Sequence, residues 1–288
     1  MHPDVVTSYE KISGLPDRVR LIYEEFEIDI RPDSDLNKYL SLCDNLLDKV
    51  DFLGKKESIE VHRAQRIFLA IVECSESLTD LEEKAAFKGA LNQITSNPLD
   101  PRTPGGSHAV NMIFELEFLQ YMKLRGMKAR LGEPDIVTSA PFGEYFVACK
   151  TINSFKKFKK NLSYGSVQIN RKGNGVIALN FEPHLYIEEP IRVYDIFEAR
   201  YTLERYLNGL YEKHKTLLNK HLAAGDFDGL AIQISCIAAI TSSPTSLDTV
   251  TQTVYYSRKN LQTKDSHNRF DGFQQSMQRP ISLGFWGQ

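Results

Sequence analysis

The sequence predicts a mixed α/β protein, with helices packed on a central sheet and a helical region ahead of it. Three observations carry that expectation. Apolar residues recur at three- and four-residue spacings through the first hundred positions. A proline- and glycine-rich segment, 96–106, interrupts the pattern. Beyond it the texture alternates in the order helix, strand hairpin, helix, strand, helix, strands. The 288 residues are 42% hydrophobic and 25% charged, ordinary values for a globular chain with a sizeable core. With 35 basic and 37 acidic residues the net charge is −2, which excludes a uniformly basic nucleic-acid coat. Any polyanion-binding surface has to come from local clustering.

In chain order, helices are expected over 16–26, 35–52, 58–74 and 81–94. Leu40, Cys43, Leu47 and Val50 mark one apolar stripe, and Asp33, Ser34 and Asp35 are N-cap candidates. Pro98, Pro101, Pro104, Gly105 and Gly106 then place a boundary between a helical region, 1–104, and a second unit, 105–288. His108–Arg125 reads as a helix closed by Gly126. Strands at 135–139 and 145–152 flank a turn at 140–144. A helix over 154–171, a strand over 176–181, a helix over 193–223 and strands over 230–240 and 250–256 complete the pattern. The segment 257–269 reads as a polar, basic loop or second contact. The apolar tail 280–286 reads as a docking segment for this chain or a partner.

Cys43, Cys74, Cys149 and Cys236 form no CxxC and fit no zinc or disulfide framework. Free thiols, the absence of a signal-like N-terminus and the short apolar runs lead us to expect a cytoplasmic protein without a membrane span. The histidines lack metal-ligand spacing. The Gly105-Gly106-Ser107 turn lacks the Lys-Ser/Thr ending of a nucleotide loop, and His108 reads as a cap or surface residue.

The informative stretch runs from Glu115 to Asn180. Side chains alternate faces along a strand, so positions 148 and 150 point the same way. Antiparallel pairing brings the start of the first hairpin strand, Asp135, to the end of the second, Lys150. The preceding helix can add a carboxylate, Glu117 or Glu115. Glu117 is favoured because it shares a face with Val110, Phe114, Tyr121 and Leu124, and a carboxylate there needs a counter-charge or a metal. Carboxylates and the backbone carbonyl of Cys149 are hard oxygen donors suited to a divalent cation, and a lysine beside them can orient a water or balance developing charge.

Pro134-Asp135, Lys150, the helix glutamate, Gln168 on the next helix and the strand Gly175–Asn180 together resemble the PD-(D/E)xK nuclease superfamily. The resemblance covers residues 108–182. It implies a restriction-endonuclease-like fold, a mixed central sheet flanked by helices, over 105–288. It implies hydrolysis of nucleic-acid phosphodiesters with Mg²⁺ or Mn²⁺, endonucleolytic and on DNA rather than RNA, of the sort found in bacterial antiviral defence or repair. Asp135 and Glu117 would hold the metal, Lys150 would assist the attacking water, and Gln168 would position it or the phosphate. One departure matters. The superfamily has an acidic residue, or sometimes glutamine, two positions before the lysine, and this chain has Ala148. Three accounts stand open: a truncated form of Glu-Cys-Lys made by engineering, natural inactivation, or a carboxylate moved to Glu144 or Glu182. On each, weak or absent cleavage is expected. The alternative is a catalytically silent nucleic-acid-binding or assembly subunit.

From Tyr145 to Phe181 there is no Asp or Glu, while Lys150, Lys156, Lys157, Lys159, Lys160, Arg171 and Lys172 supply a formal +7. The last six are the candidate nucleic-acid contacts. A protein partner at the N-terminal helices or the tail, and a homo-oligomer, are further expectations.

Overall fold

Residues 9–184, 189–242 and 247–280 are described in the computed structural model. The described residues from 9 to 96 are mostly helical: α1 (Tyr9–Ser13), α2 (Leu15–Glu25), α3 (Asp35–Cys43), α4 (Leu46–Lys49), α5 (Lys55–Ser75) and α6 (Leu81–Ser96). Ser34 and Asp80 cap α3 and α6 by accepting from the backbone N–H of Asn37 and Glu83. The single helix expected over 35–52 is broken. Asn45 takes a left-handed conformation (φ 53°), and a 3₁₀ turn, Val50–Phe52, follows α4. At the break, Arg20 holds Asp44 through two hydrogen bonds of 3.0 and 2.7 Å.

The second part runs α7 (His108–Leu124), β1 (Ala129–Leu131), β2 (Ile136–Ala140), β3 (Gly143–Thr151), α8 (Phe155–Lys172), β4 (Gly175–Asn180), β5 (Ile191–Val193), α9 (Ile196–Ala224), β6 (Gly229–Ile240), β7 (Leu247–Tyr256) and α10 (Lys264–Met277). A 3₁₀ turn, Glu182–His184, follows β4. Among the described residues, seven strands form one mixed sheet in the order β1-β2-β3-β4-β6-β5, with β7 also on β6. β1, β2 and β3 are antiparallel, β3, β4, β6 and β5 are parallel neighbours, and β7 returns antiparallel to β6.

The two-residue period of the strands divides the core in two. Val147, Cys149, Val176, Ala178 and Ala231 belong to a core shared with helices from both sides of the 96–106 segment, including Phe68, Phe87, Phe114, Phe118 and Phe270. Phe146, Ala148, Ile177, Leu179, Leu230 and Ile232 face the other way, into a core with Phe158 and Leu162 of α8 and Leu203, Leu207 and Leu218 of α9. The molecule is thus a mixed α/β structure with helices on both faces of its sheet.

Two further differences from the sequence reading have local causes. The polar stretch around 257–269 leads into α10. Thr263 caps that helix by accepting from Ser266 N–H, and Phe270, Phe273 and Met277 are buried along one face. Its charged exposed side hides that stripe in a reading based on polarity. Strands β1 and β5 have three residues each, too few to show alternation. Within the apolar tail expected to dock, 281–286 lies outside the described residues. Among the described residues, no helix is long and apolar enough to cross a membrane.

Candidate functional site

The β2–β3 hairpin pairs Ile136 with Val147, so one step further Asp135 stands beside Ala148, with Lys150 two residues on along the same face. Asp135 follows a cis Glu133–Pro134 peptide. Its Oδ2 accepts from the Cys149 backbone N–H at 2.6 Å and from the Lys150 ammonium at 3.1 Å. Lys150 Nζ also donates to the Cys149 carbonyl at 2.7 Å. Both side chains are largely withdrawn from solvent, 12% exposed for Asp135 and 19% for Lys150. Burial pushes the Asp135 pKa up, against the opposing pull of Lys150 and the Cys149 N–H.

The helix carboxylate at this pair is Glu115. It is partly buried on α7. Burial raises its pKa well above the usual carboxylate range, the charge of Asp135 raises it further, and Lys150 pulls it down. Glu117, the favoured candidate, points elsewhere. Its carboxylate takes two hydrogen bonds from Arg66 of α5, at 3.0 and 2.9 Å. The same guanidinium holds Glu182 at 3.1 and 3.0 Å. The helical step explains the split: residues two apart on a helix point about 200° apart, so only one of the two glutamates can face the hairpin. A carboxylate on an apolar face needs a partner, and for Glu117 the structure supplies Arg66. Burial still raises the Glu117 pKa, with Arg66 opposing.

Neither proposed replacement for a carboxylate at 148 reaches the site. Glu144 lies at the turn end of the hairpin, opposite Ser139 and paired with Arg130 at 3.3 Å. Glu182 is engaged by Arg66. Ala148 is fully buried among Val137, Phe146, Phe158 and Ile177.

Helix α8 packs along β3. Ser154 caps it by accepting from Lys156 N–H, Asn161 Nδ2 donates to the Thr151 carbonyl at 3.3 Å, and the Lys172 ammonium lies 5.7 Å from the centre of the Phe146 ring. Asn161, Gln168 and Lys172 fall on one helical stripe. Interpolating between the two contacts, Gln168 lies level with Ala148. Its Oε1 is buried and, among the described residues, has no hydrogen-bond partner. Ahead of α7, Gly106 (φ 93°) lies so close to the β3–α8 loop that a Cβ there would sit 2.5 Å from Asn153 Nδ2. His108 is exposed at the start of α7.

Lys156, Lys157, Lys159, Lys160, Arg171 and Lys172 are all exposed, and among the described residues none forms an ion pair. Lys213 of α9, its ammonium 5.0 Å from the centre of the Phe155 ring, adds a cation at the N-terminal end of α8. That contact joins elements 58 residues apart and leaves no local signal in the sequence.

Asp135, Glu115 and the Cys149 carbonyl are hard oxygen donors, the kind Mg²⁺ and Mn²⁺ take. In number they are one carboxylate short, and among the described residues no group of three or more His, Cys, Asp or Glu side chains is arranged to hold a metal ion. The Lys150 ammonium bridges two of those oxygens. A cleft of about 1290 Å³ lies away from this site among α3, α5 and the turn at 100–102. Its lining carries both signs of charge, among them Lys38, Lys55 and Arg63 with Asp35, Glu57 and Glu60. No protein-family profile, curated protein or solved structure matches the chain.

Proposed function

We propose that this chain carries the scaffold of a metal-dependent nuclease of the PD-(D/E)xK type, with DNA favoured over RNA as substrate and hydrolysis weakened by Ala148. The observation that carries this reading is the contact of Asp135 Oδ2, Lys150 Nζ and the Cys149 carbonyl where β2 and β3 meet. Support comes from the element order, α7, β1, β2, β3, α8 and parallel β4, and from the basic face of α8 beside β3.

In this proposal Asp135, Glu115 and the Cys149 carbonyl would hold Mg²⁺ or Mn²⁺. When bound, such an ion polarises a phosphoryl oxygen and lowers the pKa of a bound water. The Lys150 ammonium offers a donor and a positive charge to a phosphate oxygen, the kind of preorganised electrostatics that stabilises developing charge. Gln168, with its orphaned Oε1 level with position 148, can accept a hydrogen bond and so orient a water or a neighbouring side chain. The lysines of α8 supply attraction to the backbone that does not depend on sequence.

Two observations favour a silent binding subunit as a second reading. Ala148 is fully buried in apolar surroundings, and Lys150 already neutralises Asp135. The two readings separate in one experiment. Ala148→Glu and the chain as it stands are incubated with plasmid, single-stranded DNA and RNA, in magnesium and in chelator, with circular dichroism as the folding check. A nuclease scaffold predicts magnesium-dependent cutting by Ala148→Glu and little or none by the chain as it stands. A folded Ala148→Glu protein without cutting on any substrate removes the nuclease proposal.

A further inference from the structure

The exposed face of α8 carries more than charge. Tyr164 is 56% exposed and Val167 48%, in the middle of a helix whose other outward residues are mostly lysine, arginine and asparagine. At 100° per residue, Lys156, Lys160, Tyr164, Val167 and Arg171 form one outward stripe. It spans about 22 Å, fifteen residues at 1.5 Å each. The Lys160 ammonium lies 5.4 Å from the centre of the Tyr164 ring, leaning along the helix toward it. On its inner flank Tyr164 shares a stripe with Asn161, which bonds the β3 backbone at Thr151, and with Gln168. Tyr164 therefore lies at the edge of the outward stripe, next to the flank that carries Asn161 and Gln168.

A duplex presents phosphates to such a helix and asks only for cations. Cations alone would account for Lys156, Lys157, Lys159, Lys160, Arg171 and Lys172. They leave an exposed tyrosine and valine unexplained. Single strands differ in offering unstacked base faces, and binding grooves for them combine a cationic track with exposed aromatic rings. Resting on the nucleic-acid reading above, we propose that the α8 stripe binds single-stranded nucleic acid, phosphates along the lysines and one base stacked on Tyr164. The substrate of the neighbouring site would then be a single strand, or a duplex locally opened there.

The test measures binding of the full chain to fluorescent oligonucleotides of one sequence, as single-stranded DNA, single-stranded RNA and duplex DNA, by anisotropy without divalent metal. Tyr164→Ala, Tyr164→Phe and Lys156→Ala/Lys160→Ala are compared with the chain as it stands. Because Tyr164 is exposed, its replacement should leave the fold intact, checked by thermal melting. Single strands are expected to bind more tightly than duplex. Tyr164→Ala should weaken single-strand affinity by about 5- to 150-fold, the range that stacking of one base supports, while Tyr164→Phe keeps it. The double lysine variant should weaken both forms and lower the salt dependence. Single-strand affinity unchanged within about twofold in Tyr164→Ala overturns the proposal, as does equal binding of duplex or no binding at all. If Ala148→Glu does not cut yet Tyr164-dependent single-strand binding persists, the nuclease reading falls and this one stands. Magnesium-dependent cutting with binding indifferent to Tyr164 means the reverse.

Discussion

Replacing Arg66 with methionine should be among the most damaging single changes in the protein, and its cost should depend on pH. Arg66 makes four hydrogen bonds of 2.9 to 3.1 Å to two carboxylates, with side-chain exposures of 17% for Arg66, 9% for Glu117 and 20% for Glu182. With charge centres about 4 Å apart, each attraction is worth about 4 kcal/mol at an effective dielectric of about 20. Desolvation of three ions opposes this by several kcal/mol each, so the intact cluster is close to neutral for stability. Methionine removes the attraction and leaves two carboxylates withdrawn from water, a loss of about 3–5 kcal/mol. Burial already raises the Glu117 pKa, and without Arg66 it rises further. A carboxyl whose folded pKa exceeds its unfolded value binds more protons when folded, so stability falls as pH rises through that interval. The loss should therefore be larger at pH 8 than at pH 5, and Arg66→Met/Glu117→Gln should recover part of it at pH 8. Urea unfolding followed by circular dichroism at both pH values measures this directly. A loss below about 1 kcal/mol, or one that is the same at both pH values, would refute the reasoning from an interdependent buried cluster.

Other consequences follow from the same geometry. In a cutting-competent Ala148→Glu background, Glu115→Gln should abolish cleavage, whereas Glu117→Gln should lower the melting temperature and leave cleavage per folded molecule within a few-fold, read from paired activity and melting curves. Glu73 is pushed up to about 7 by burial, against the hydrogen bond from Gln120. Its folded pKa exceeds the unfolded one, so it costs on the order of 3 kcal/mol as pH rises from about 4.5 to 7, and Glu73→Gln should flatten the stability profile over that window. A Cβ on Gly175 would lie 2.2 Å from the Phe146 carbonyl oxygen where β4 starts beside β3, so Gly175→Ala should cost about 3 kcal/mol in urea unfolding. Replacing Lys156, Lys157, Lys159 and Lys160 with alanine should reduce the log–log salt slope of single-strand binding by about 3, from anisotropy titrations at several salt concentrations.

Much of the architecture was legible because it rests on period and punctuation. The helix 108–124, the hairpin, α8 and β4 show their apolar spacing and turn residues over stretches long enough to be read. The break at Asn45, the helix behind the polar 257–269 stretch and the three-residue strands depend on one backbone conformation, a half-hidden face or partners far along the chain. The contact of Asp135 with Lys150 followed from strand alternation and antiparallel pairing, which sequence order dictates. The choice between Glu115 and Glu117 did not, because it turns on Arg66, 51 residues from Glu117, reaching across from another helix. The same holds for Lys213 of α9 reaching Phe155 of α8 and for the engagement of Glu182. Charged residues declare that they need a partner, but not which one.

In the proposed function Asp135, Glu115 and the Cys149 carbonyl would offer oxygen donors to a divalent cation, one carboxylate short at Ala148. Calorimetric titration of Mn²⁺ into the chain as it stands, into Ala148→Glu, and into Ala148→Glu/Asp135→Asn tests it most directly. The account predicts weak binding by the first, at least about tenfold tighter binding by the second, and loss of the gain in the third. Equal affinity in the first two, or a gain that survives removal of the Asp135 carboxylate, would contradict it.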